Sequence, residues 1–321
     1  MLFVWKKVWV WVSLEEQRWV KKLPIQYWFP WTDNTFFDRA SLEQDSWAID
    51  TLLDATHSMV TKKWSEWTIW WLVYPNGIGF FLKALMWWVE SNWEGVFEHR
   101  FNLLESNTHP SLTVWVHSPL WSRSYALAMI ESMDFNAEVW GKFTVSVNLK
   151  ARKWENEDDF SVNYNSENWF VANMLRVFIA DSIEKLDIAE NICLQSFTLS
   201  FKKEIKDIEC ISSLDPIDYL VSGFSIEWSM EVLFENNSYR DDYLNWNAKA
   251  LRILLEDKSH PYWEDDYPTF MLDLSKVIIT DWTPAFSLND ITKQSISFKW
   301  HYDIKQWKAV EVYLKNTQER Y

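Results

Sequence analysis

The chain has 321 residues, 48% of them hydrophobic, and carries a formal net charge of −15 with a pI near 4.9. That length suits one large β domain or two ordinary ones, and the acidic balance argues against nucleic-acid binding through a basic patch. The two cysteines, Cys193 and Cys210, form neither a CxxC pair nor a disulfide framework, and no stretch reaches the roughly 18 apolar residues of a membrane-spanning helix.

Residues 1–12 place Val4, Val8, Val10 and Val12 in phase and predict an opening strand. Lys6-Lys7 and Glu15-Glu16 interrupt this region, so it reads as part of a soluble chain and not as a targeting segment. Residues 24–50 read as a long loop, a length that in a compact domain marks a functional or interaction segment. Residues 61–79 predict a strand flanked by turns, and Ile78 to Met86 predict a short helix. Residues 96–105 and 111–117 predict strands, broken by Asn107-Thr108-His109-Pro110.

The most regular stretch follows. Met133, Phe135, Ala137 and Val139 alternate with Asp134, Asn136 and Glu138. Phe143, Val145, Val147 and Leu149 then alternate with Thr144, Ser146, Asn148 and Lys150. Side chains on a strand alternate faces, so each run buries one face and wets the other. The two runs meet at a hairpin over Val139-Trp140-Gly141-Lys142.

Residues 151–168 are polar and acidic and predict a linker. Beyond it, Ser196–Leu199 echoes Ser111–Val114, and the alternation at 224–232 echoes that at 133–139. Residues 243–256 suit a helix or a strand. Residues 296–303 and 309–316 predict a last hairpin around Gln306 and Trp307. The expected fold is mostly β, with antiparallel β-sandwich or open-barrel units and one or two short helices. Two tandem units are expected: residues 1–155, carrying the loop 24–50, and residues 156–321, carrying the C-terminal hairpin 296–316.

The composition holds one anomaly: 25 Trp against 5 Gly. An average chain of this length has roughly four times as many glycines, and turns require them. Tryptophan stands in several places where a turn glycine is expected: Trp31 after Pro30, Trp93 after Asn92, Trp140 before Gly141, Trp169 after Asn168, Trp246 between Asn245 and Asn247, and Trp282 after Asp281. These positions read as glycines recorded as tryptophan, as happens when UGA codons from a glycine-reading lineage are translated with another code. If the tryptophans are genuine, exposed indoles on a β-sandwich point instead to sugar stacking or a sticky interface.

No catalytic constellation is legible. His57, His99, His109, His117, His260 and His301 form no HxxxH or HExxH pattern. His109 and His260 precede prolines and read as loop residues, whereas His99, His117 and His301 read as strand residues on a wet face. Asp265-Asp266 are adjacent, so on extended chain they point apart and read as a solvated loop. There is no G-x-S-x-G and no P-loop, with Trp read either way. No catalytic, cofactor-binding or metal-binding residue is assigned, and no enzymatic activity is expected.

With Trp read as Gly, three regions resemble the tail tube proteins of long-tailed phages. They are the strands from His99 through Ser111-Leu112-Thr113-Val114 to Lys150, the helix region GIGFFLKALM before them, and the closing segment from Gln294 to Asn316. The resemblance covers most of the chain through patterns rather than invariant motifs. It implies a structural virion protein, assembled in the host cytoplasm. Its copies would associate into trimeric or hexameric rings that stack into a tube, in contact with tape-measure, tail-tip and terminator proteins. DNA would pass along the lumen during ejection without specific binding. The alternative is a Trp-rich β-sandwich carbohydrate-binding or adhesin-like module.

Overall fold

The computed structural model describes residues 5–23, 26–28, 30–44, 57–93, 95–103, 106–158, 166–286, 288, 291–303 and 310–321. β1 (Trp9–Leu14) is followed by the two-residue β2 (Tyr27–Trp28) and by two long strands, β3 (Trp31–Gln44) and β4 (Ser58–Leu72). Next come α1 (Pro75–Met86), β5 (Trp87–Trp93), β6 (Phe97–Leu103) and β7 (Leu112–Ser118). The first half ends with β8 (Trp121–Glu138), β9 (Thr144–Ala151) and the short β10 (Glu155–Asn156). The second half contains β11 (Leu175–Ala180), the long β12 (Leu194–Ile208) and β13 (Asp218–Leu233), then α2 (Ser238–Asn245). It closes with β14 (Lys249–Glu256), β15 (Thr269–Ala285), β16 (Lys293–Trp300) and β17 (Val310–Asn316).

The strands pair antiparallel. The largest sheet has the order β3-β4-β9-β8-β12-β13-β16-β15, and so joins the two halves of the chain through β8 and β12. A second sheet runs β11-β14-β15-β17-β6-β5, and a third runs β10-β8-β7-β1-β2. β8 and β15 each serve two sheets. The N-terminal part of β8 pairs with β7 and its C-terminal part with β9, while β15 divides in the same way between β14 and β16. Bulges sit where each strand changes sheet, and a bulge is the usual way to bend a strand round such a corner.

The sequence explains the sheets where one face is apolar throughout. β9 alternates half-buried and buried residues along its whole length, so Val145, Val147 and Leu149 face the core. α1 is apolar all round and nearly all buried, as a helix enclosed by sheets must be. Pro75 occupies its first turn, where the missing N–H costs nothing. Gly77 and Gly79 let the rings of Tyr27 and Tyr321 lie against it, and a Cβ at either position would meet those rings at 2.6 and 2.0 Å.

The structure corrects several expectations. Of the expected loop 24–50, residues 31–44 are strand β3, paired along its length with β4 to make a long hairpin; residues 45–50 lie outside the described residues. The expected C-terminal hairpin 296–316 does not form, because β16 pairs with β13 and β15 while β17 pairs with β15 and β6. Its expected turn at Gln306 and Trp307 lies outside the described residues. The expected echoes match strands that occupy different places: β7 lies between β1 and β8, whereas β12 lies between β8 and β13. Period-2 alternation shows that a strand has a wet face but not which strand lies beside it.

Candidate assembly surface

The exposed face of the eight-stranded sheet is built from the polar halves of the alternating strands. One row of directly paired residues crosses it as Thr144, Asn136, Thr198, Ser229, Ser297 and Asp281. The next row reads Trp70, Ser146, Asp134, Ser200, Glu227 and Lys299. Small hydroxyl and amide side chains predominate, and the charges are of both signs.

The side chains on this face are bonded to one another across strands. Thr68 donates to Asn148, whose Nδ2 donates to Ser132 Oγ at 2.6 Å. Ser132 donates to Asp134 at 3.1 Å, and Ser200 donates to the other oxygen of Asp134. Further along, Lys202 meets Glu227 at 2.8 Å, Lys299 meets Glu227 at 3.6 Å, and Lys293 meets Glu231 at 2.8 Å. The Lys202 contact is the main reason the Glu227 carboxyl is held below its ordinary value. Lysines neutralised by neighbouring carboxylates present no basic stripe to a phosphate backbone.

The sheet ends at β3 on one side and at the C-terminal part of β15 on the other. Among the described residues neither outer edge has a strand partner. Apolar side chains lie exposed at both ends: Phe37 and Leu42 on β3, and Phe286, Leu288 and Ile291 after β15. Asn34 is buried on β3, with no hydrogen-bond partner for either its Oδ1 or its Nδ2 among the described residues.

Buried titratable groups gather elsewhere, around α1. At its C-terminal end the wholly buried Lys203 donates to the carbonyl of Ala84 at 2.7 Å, and His109 Nδ1 lies 3.0 Å from the carbonyl of Leu85. Burial lowers the Lys203 amine well below its ordinary value. Burial, reinforced by the nearby Lys203, lowers His109 to about 3. At the N-terminal end Glu167 accepts from Tyr27 and from the backbone N–H of Asn76 at 3.0 Å. Glu15 is also buried and accepts from Ser111, Thr113, Leu127 and Trp19. Burial raises both carboxyls above their ordinary range. These groups terminate helix and loop backbone groups that would otherwise lie orphaned.

The histidines are dispersed. His99 is fully buried and not on a wet face, bonded between Ser91 and Gln318, because the C-terminal segment folds over β6. His117 stacks on Trp9, and His260 contacts Asp257 at 2.9 Å. Asp266 contacts Lys315 at 2.9 Å. Both cysteines are free and exposed. Among the described residues no group of three His, Cys, Asp or Glu side chains is placed to hold a metal, and no helix is long and apolar enough to cross a membrane. Neither protein-family models nor curated proteins match the chain.

Proposed function

We propose that this chain is a phage tail tube protein, a structural virion component whose copies form stacked rings around a lumen that conducts DNA. The carrying observation is one eight-stranded antiparallel sheet with a polar, charge-balanced face and, among the described residues, an unpaired edge at each end. A sheet with two open edges either aggregates or closes with other copies, and a closed barrel removes every edge. Strands lie about 4.8 Å apart, so three copies of such a sheet close with a backbone diameter of about 35–50 Å, depending on tilt. That is wide enough for a duplex, and a face without a basic stripe lets it slide. The long β3–β4 hairpin is the candidate contact between rings or with other tail proteins.

The same reading takes Trp19, Trp87, Trp140 and Trp246 as glycines in the native protein. All four have positive φ, at 59, 83, 62 and 54°. An L residue pays roughly 1–2 kcal/mol to adopt such a conformation and glycine does not. Trp11, Trp71 and Trp115, by contrast, are fully buried within the core, where their volume is used.

Two experiments test the proposal. Electron microscopy of the purified protein should show rings or hollow tubes, and native mass should give three chains per ring; six would overturn the trimer. A solution of monomers that binds glycans on an array would instead favour the adhesin-like reading. In protein from its native source, the tryptic peptide from Ser124 to Lys142 should have the mass for glycine at position 140. A tryptophan mass there would overturn the recoding.

A further inference from the structure

The pairing scheme of the second half of the chain repeats that of the first, bulge for bulge. The β3–β4 hairpin shifts register between Trp31 and Asp33 and again between Ser41 and Leu42. The β12–β13 hairpin shifts between Leu194 and Ser196 and between Glu204 and Ile205, with the same spacing. Each hairpin is followed by a helix, α1 or α2, and each helix ends at a tryptophan of positive φ, Trp87 or Trp246. The β8–β9 ladder shifts at Ile130/Ser132 and the β15–β16 ladder at Ile279/Asp281. The β7–β8 ladder shifts at Leu112/Val114 and the β14–β15 ladder at Lys249/Leu251. β4 pairs with β9 as β13 pairs with β16, and this puts the buried Trp67 and Trp228 in the same place.

Besides β2 and the β5–β6 hairpin, which only the first half has, one joint of the large sheet has no counterpart among the described residues. The C-terminal part of β8 pairs with β12, from Ser132 opposite Lys202 to Glu138 opposite Ser196. In the repeat, β15 stands for β8 and β3 stands for β12, yet among the described residues these are the two open edges of the sheet. Their core-side residues are correspondingly uncovered. Phe286 is 73% exposed where Ala137 is buried, Trp282 is half-buried where Met133 is buried, and Phe36 is half-buried where Leu199 is buried. The buried, unpartnered amide of Asn34 takes the place of the buried Phe197.

We infer that the edge of β15 receives β3 of a second copy of this chain, antiparallel and in the register that joins β8 to β12. The inference rests on the self-assembly reading above and adds its joint. Carrying the internal register across places Arg39 opposite Asp281, Phe37 opposite Thr283, Thr35 opposite Ala285 and Asn34 opposite Phe286. Arg39 and Asp281 then form a cross-strand pair of opposite charge. Phe37 and Thr283 take the places of Ser200 and Asp134, which are hydrogen-bonded on the exposed face. Pro284 supplies no N–H, so the ladder has only a carbonyl to offer at that position.

The test is cysteine cross-linking in the full chain, with Cys193 and Cys210 first changed to Ser. Directly opposite residues on antiparallel strands lie within disulfide reach. Oxidised F37C/T283C should run as covalent multimers ending at a closed ring. F37C/W282C, one residue out of register, should stay monomeric because its side chains point to opposite faces. Independently, R39D should reduce assembly and D281R in the same chain should restore it. Tubes by microscopy with no F37C/T283C cross-link, or with both pairs cross-linking equally, would overturn the joint while leaving the tube reading standing. Closed covalent rings that never stack into tubes would support the joint and count against the tube. Monomers under all conditions would overturn both.

Discussion

Trp246 shows at a single residue how conformation bears on identity. It caps α2 with φ 54° and ψ 37°, and its backbone N–H bonds the carbonyls of Asp242 and Tyr243. Its indole is 66% exposed, so the side chain contributes little packing. Glycine is the usual residue at a left-handed helix cap. Trp246→Gly should therefore stabilise the chain by about 1 kcal/mol, read as a higher denaturant midpoint at unchanged slope. A lower midpoint would show that the contacts of the indole outweigh the backbone strain. Trp140 is similar, at 98% exposure in the turn between β8 and β9. Its misfit is legible in the sequence because turn chemistry is local: a two-residue reach suffices to see that Asn-Trp or Trp-Gly has no conformational rationale. The burial of His99 is not legible, since the segment that covers it lies more than two hundred residues away.

At the level of elements, α1 is held at both ends by groups distant in sequence, and its C-terminal end makes the fold sensitive to acid. His109 is neutral in the folded chain down to about pH 3, while in the unfolded chain it takes a proton near 6.5. The unfolded state thus binds more protons between those values, and stability falls as pH drops from 6.5 toward 3. Glu15 and Glu167, raised by burial, act in the opposite sense above the ordinary carboxylate range. Denaturant unfolding between pH 7 and pH 4 should show a loss of stability that is shallower in His109→Gln. An unchanged slope would mean that His109 does not set the acid response. Sequence patterning identifies α1, β8 and β9 because each buries a continuous apolar face. It misses β3, where Asp33, Thr35, Asp38 and Arg39 stand along an edge that has no strand on its outer side among the described residues. An edge strand lacks the strict apolar alternation that marks a strand between two neighbours.

For the molecule as a whole, the polar face of the large sheet is already written in Thr144, Ser146, Asn148 and Lys150, but its two ends are not. Openness depends on which strand is missing, and periodicity carries no information about neighbours. Two units are expected from the sequence, but which strands correspond is equally hidden. Laying β8–β9 on β15–β16 matches Ile130 with Ile279, Ser146 with Ser295 and Lys150 with Lys299, while most other positions differ. The bulges and registers agree where the side-chain identities do not. In the proposed three-copy ring, the open edges would also impose an order of events on newly made chains. A lone contact between two copies gains one ladder, interrupted at Pro284, and leaves two edges bare. A third copy closes both at once, with the last joint formed inside one particle at high effective concentration. Dimers should accordingly be scarce at any dose, and assembly should switch on over a narrow range of concentration, so that in a cell the pool of chains itself sets the moment at which rings appear.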